Sequence, residues 1–129
     1  GLSEDLSLQK HQIYDFLNKK KKAIKELERF IYYEPANLRT IGILAEYYNE
    51  CKMVKKSESL LHQMMLIDST NGLVQLSMFQ YYMKKRAYTN SIYSLEKVLT
   101  SVEVDQSLKR EILFKIKYDK SIPLSVNQL

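Results

Sequence analysis

Two histidines, a single cysteine and scattered carboxylates are the groups in this chain that could run chemistry. A catalytic nucleophile needs a base beside it, and a metal needs three or four ligands at short spacing. His11 and His62 stand 51 residues apart, and Cys51 has no basic neighbour fixed by spacing. No Cys or His pair has metal-ligand spacing, and 3 glycines supply no loop to cradle phosphate. The pattern is that of a non-enzyme with no metal and no cofactor. Glu46 and Glu50 depart from the usual helical pairing of an acid with a base four residues on.

Charge raises a second chemistry. The formal net charge is +5, and Lys19–Lys22 and Lys84-Lys85-Arg86 lie in a chain with 10 tyrosines. Basic clusters with aromatics can hold nucleic acid by phosphate contact and base stacking. An RNA- or nucleic-acid-binding helical repeat is therefore the alternative reading. Against it, both clusters fall at expected turns, residues 72–102 carry +3 of the excess, and residues 36–71 are neutral. A solvated turn explains the lysines with less.

Composition sets the scaffold. With 3 Gly and 2 Pro, an all-β fold would be short of turn residues, and Leu, Lys, Glu, Ile, Gln and Met favour helix. One Cys permits no internal disulfide, and no apolar run approaches the roughly 18–20 residues that span a bilayer. Gly1 without a preceding Met reads as a cleavage scar, so a removed leader stays open, and with it either a cytoplasmic or a bacterial periplasmic or envelope location.

Helical periodicity then places the elements. Leu6, Ile13, Tyr14 and Leu17 predict a first helix after Ser3, with Glu4 and Asp5 suiting its positive end. A second carries Ala23, Ile24, Leu27, Phe30 and Ile31 and stops at Glu34, before Pro35. Asn37 caps a third, with Ile41, Leu44, Ala45 and Tyr48 inward. A fourth carries Ser57, Leu60, Leu61, Met64 and Met65, and the loop 68–72 leads to a fifth over about 72–85. A sixth follows over about 88–101, and a trailing helix over about 105–120 carries Leu108, Ile112, Leu113 and Ile116. Residues 121–129, with Pro123, read as the entry to a further helix.

Three columns recur at a spacing of 34: Ala23, Ser57 and Ser91; Leu27, Leu61 and Leu95; Phe30, Met64 and Val98. A fixed period of this length marks an array in which each unit buries its apolar face against a neighbour. The small column predicts helix crossings. Gly42 inside the third helix predicts close backbone approach or ligand access there.

Period and pairing resemble the tetratricopeptide repeat, whose pattern is W-x2-L-G-x2-Y, then A-x3-F, then P. The middle unit offers Ile41, Leu44, Ala45 and Tyr48, then Ser57 and Leu61. The third offers Gln75, Met78, Phe79 and Tyr82, then Ser91 and Leu95. The first offers Ala23, Leu27 and Pro35, but Lys10 and His11 stand where Leu and a small residue belong. Phe79 also replaces a small residue, so the helices there must splay or their neighbours shrink. The final segment resembles long envelope-associated repeat proteins of some Gram-negative bacteria.

The resemblance implies an all-α, right-handed α-solenoid of antiparallel helix hairpins. Residues 1–129 form a single repeat domain with units of about 4–35, 36–69 and 70–102. It implies a protein–protein interaction scaffold that holds a peptide or helix on its concave face. The residues on that stripe are Arg39, Ile43, Glu46 and Glu50, and, 34 further on, Leu73, Ser77, Gln80 and Lys84. Some family members grip a terminal carboxylate with Lys and Asn from this stripe; Gln9, Gln12, Ile43, Leu73 and Ser77 provide no such clamp. The trailing helix, lacking a partner, is expected to expose Ile112, Leu113 and Ile116 and to support self-association.

Overall fold

The computed structural model describes residues 3–119, all of whose regular elements are helices. Gly1 and residues 121–129 lie outside them, and with them the reading of a scar and of a further helix. The helices are α1 (Glu4–Phe16), α2 (Lys20–Tyr33), α3 (Leu38–Glu50), α4 (Val54–Asp68), α5 (Gly72–Lys84), α6 (Tyr88–Leu99) and α7 (Gln106–Tyr118). None is long and apolar enough to cross a membrane.

The period of 34 is written into the backbone as well as the side chains. Ser3, Asn37, Asn71 and Asp105 open the odd-numbered helices, and each side chain accepts an N–H of the first turn. The even helices open at Lys19, Met53 and Ala87 with no such cap. Between the helices of each pair stands one left-handed residue: Asn18, Lys52 and Arg86, with φ of 59, 65 and 58°. At each, the N–H of the following residue returns five positions: Lys19 to Tyr14, Met53 to Tyr48 and Ala87 to Tyr82, at 2.8, 2.8 and 2.9 Å. This Schellman-type stop satisfies helix-end carbonyls and reverses the chain in three residues. Four caps and three turns thus share one register, and α7 opens as a fourth first helix.

The small-residue column sits where the period requires it. Ala23, Ser57 and Ser91 are all buried, as are Leu27, Leu61, Leu95, Phe30, Met64 and Val98. In the first pair His11 Nδ1 lies 2.9 Å from the Ala23 carbonyl; in the second Ser57 Oγ donates to the Ala45 carbonyl at 2.7 Å. Both links span twelve residues across the crossing, and they run in opposite directions. In α5 and α6 the equivalent pair is Phe79 and Ser91. There the helices stay packed, and α6 buries both Ser91 and Ser94.

The chain divides between Ser69 and Thr70 into two compact units. In the first, α1 pairs with α2, α3 pairs with α4, and α2 packs on α3. Leu27, Leu44 and Tyr48 form one of its buried clusters, flanked by Leu8, Ile24 and Leu60. Glu4 ties the starts of α1 and α3: its carboxylate accepts from Asn37 Nδ2, Arg39 Nη1 and Thr40 Oγ1. In the second unit, α5 pairs with α6, and α7 adds Ile112 and Ile116 to a cluster of Phe79, Leu95, Val98 and Val104. Lys109, buried in α7, donates to the Ser101 carbonyl just past the end of α6.

Two expectations change, and a close approach appears at a second glycine. The local apolar pattern turns Leu6, Ile13 and Leu17 inward, yet all three are about half exposed and Ser7 and His11 are buried instead. Ser7 and His11 lie 34 residues before Ile41 and Ala45, so the repeat register overrides local hydrophobicity. In α7, Ile112 and Ile116 are buried, leaving Leu113, Phe114 and Tyr118 as its exposed apolar residues. Close backbone approach occurs at Gly72, where an added Cβ would meet Ser101 Oγ at 1.8 Å and Ser101 Cβ at 2.5 Å. Gly42 is half-buried.

Two stability outcomes follow from this geometry. A left-handed non-glycine costs about 1–2 kcal/mol, and glycine entropy returns roughly 0.5–1 of that. Lys52→Gly and Arg86→Gly should therefore each stabilise by about 0.5–1 kcal/mol in urea unfolding; a loss at both positions would contradict the turn geometry. Gly72→Ala should destabilise by about 1–3 kcal/mol through overpacking, against a helix-propensity gain of at most about 1. Adding Ser101→Gly should recover most of that loss.

Candidate functional site

The stripe expected to meet a partner divides by unit. On α3, Arg39 is exposed along its stem, but its head donates to Glu4 Oε1 at 3.0 Å. Ile43 packs against the core of the first unit. Glu46 is half-buried and Glu50 exposed, and their four-residue spacing sets both on one face of α3. On α5, Ser77 is buried and Leu73 packs against the apolar cluster. That helix buries Gly72, Val74, Gln75, Ser77 and Phe79, a wide inward face that takes Ser77 with it. Gln80 is half-buried and Lys84 exposed in the last turn. The accessible stripe is therefore acidic on α3 and basic on α5.

Beside the α3 stripe lies a polar network that the sequence reading did not assemble. A carbonyl only accepts, so His11 donates to Ala23 through a protonated Nδ1. Its ring meets that of Tyr47 edge-on, with centroids 4.6 Å apart. The Tyr47 hydroxyl donates to Asp15 Oδ1 at 2.9 Å, and the Tyr48 hydroxyl donates to Glu28. Neighbouring tyrosines on α3 thus reach a carboxylate on α1 and another on α2. Tyr48 is core, as its spacing predicts. Tyr47 is equally buried, because position 47 faces the preceding hairpin. Their counterparts Tyr81 and Tyr82 are half-buried, with ring centroids 5.6 Å apart.

Burial pushes both phenols well above their ordinary range, and the acid each one bonds adds to the shift. In this network His11 commits Nδ1 to a main-chain carbonyl, and Cys51, half-buried at the α3 end, adds to the upward shift of the Tyr47 phenol. Among the described residues, no three His, Cys, Asp or Glu side chains could hold a metal ion. What the geometry does is lock α1 and α2 to α3 and fix the face that carries Glu46 and Glu50.

Several lysines are already placed on rings. Lys22 lies 5.9 Å from the Tyr14 centroid, Lys56 5.7 Å from Tyr48, Lys85 5.7 Å from Tyr81 and Lys97 4.3 Å from Tyr93.

The raised phenols fix the sign of an alkaline effect. Below about pH 10 both states keep the protons, and the full stabilisation stands. Above it the unfolded chain ionises first, so stability falls by about 1.4 kcal/mol per pH unit for each tyrosine, until the folded phenols ionise too. Tyr47→Phe with Tyr48→Phe should lower stability at pH 7 by about 1–3 kcal/mol. The same double variant should flatten the alkaline decline by about 2.7 kcal/mol per unit. Urea midpoints from about pH 9 to 12 read both; parallel curves for the two proteins would refute the assignment.

No protein-family model and no curated protein matches this chain.

Proposed function

We propose that this chain is a non-catalytic, tetratricopeptide-like scaffold that binds an extended peptide or a helix through the stripe residues of α3 and α5. The observation that carries the reading is the threefold return of one hairpin in one register: capped first helix, left-handed turn, small crossing residue. Repeating a hairpin presents equivalent positions on successive first helices, which suits binding an elongated partner. Glu46 and Glu50 on α3, and Gln80 and Lys84 on α5, are the side chains this reading assigns to partner contact. Arg39, Ile43, Leu73 and Ser77 support them from the ion pair, the core and the inward faces. The acid on one helix and the base on another favour a partner of mixed charge.

Selection of displayed peptides against the full chain tests this. Selected sequences should lose at least tenfold in affinity, about 1.4 kcal/mol, to Glu46→Lys/Glu50→Lys or to Lys84→Glu, with folding unchanged. Peptides indifferent to both changes would place binding elsewhere. A random single-stranded oligonucleotide supplies the contrast. Affinity for it that is tighter than the selected peptides' and falls steeply from about 50 to 200 mM salt would favour the nucleic-acid reading instead.

A further inference from the structure

The first helix carries a second face that nothing in its own unit covers. Leu6, Ile13, Phe16 and Leu17 are 51, 57, 88 and 51% exposed, on the side of α1 away from Ser7 and His11. Single exposed apolar residues are ordinary, but three on one helix of 13 residues, with Leu17 at its C-cap, form a patch. The repeat register says what kind of patch. Thirty-four residues on, Leu6 and Ile13 become Thr40 and Tyr47 of α3, and Leu17 becomes Cys51 at its C-cap. Thr40 and Tyr47 are buried, and they reach Glu4, His11 and Asp15 of α1. The same positions that seal α3 onto the preceding hairpin are thus apolar and open on α1.

We propose that this face pairs with the α1 face of a second copy of the chain, antiparallel about a two-fold axis. A two-fold contact must be self-complementary, and antiparallel pairing makes this one so. It sets Leu6 of one copy near Leu17 of the other, with the Ile13 side chains near the centre. It also lays the acidic first turn, with exposed Asp5, over the partner's lysine-rich turn that begins at exposed Lys19 and Lys20. The opposed helix dipoles add to the attraction. Parallel pairing would instead stack like charges at both ends. One helix against one helix lies at the small end of specific interfaces, so the dimer is weak and concentration-dependent.

Sedimentation of the full chain from about 10 to 500 µM tests it, a range suited to a weak dimer. Weight-average mass should rise towards twice that of the 15.3 kDa chain. Ile13→Glu should hold the mass at the monomer value with unchanged thermal unfolding, because the site is exposed. Asp5→Lys should weaken association severalfold, and adding Lys19→Glu and Lys20→Glu should restore it. A strict monomer across the range overturns the proposal. So does a dimer that survives Ile13→Glu, and one that is lost only on Leu113→Glu, which would assign association to α7.

Discussion

Each helix pair must turn back on itself within three residues, and that demand governs the rest of the molecule. A reversal so tight needs one left-handed residue and a hydrogen bond spanning the helix stop, found at Asn18, Lys52 and Arg86. Once the turn is fixed, so is the place where the helices cross. His11 and Ala23, and Ala45 and Ser57, stand twelve residues apart around identical turns. At that crossing one helix needs a small side chain, hence the Ala, Ser, Ser column. The residue across from it is freer: His11, Ala45 and Phe79 share no size or polarity. The column that looked conspicuous in sequence is thus a consequence of the turn.

Different physics fills the two units built on this frame. The first binds its hairpins with polar links to carboxylates. Glu4 gathers Asn37, Arg39 and Thr40, Asp15 takes Tyr47, and Glu28 takes Tyr48. Neutral phenols suit this role, since a buried hydroxyl must donate somewhere and a carboxylate accepts without a matching buried cation. The second unit relies on an apolar cluster shared by α5, α6, α7 and Val104 of the loop before α7. Its deeply placed cation Lys109 is held by a carbonyl just beyond a helix end, where the helix dipole is negative.

How much of this could be read from the residues depended on whether the feature has a residue type. The helices, the Glu34–Pro35 stop and the buried columns were legible, because apolar periodicity and small residues mark them. The cap column of Ser3, Asn37, Asn71 and Asp105 was legible in principle, since all four are good caps at one spacing. The left-handed geometry of the turns was not, because Asn, Lys and Arg share nothing that signals such a backbone; only their period gives them away. In α1, counting apolar residues pointed to the wrong face, while the position of His11 pointed to the right one. Of the candidate stripe, Glu50 and Lys84 lie exposed as a solvent-facing charge would. Ser77 went inward because a serine carries too little polarity to resist burial on a wide apolar helix face.

In a repeat, position carries information that composition lacks. Thr40 and Tyr47 are polar and buried, while Leu6 and Ile13 are apolar and open, the reverse of what each type would choose alone. The inversion has a cause. At the contact inside the first unit, partners on α1 are polar and fixed, so Thr and Tyr find acceptors at Glu4 and Asp15. At the outward face of α1 no acceptor is held in place, and apolar residues need none. A polar pair at positions 6 and 13 would tie α1 to one acceptor geometry. Leucine and isoleucine leave it open to any apolar surface of the right shape, including its own image.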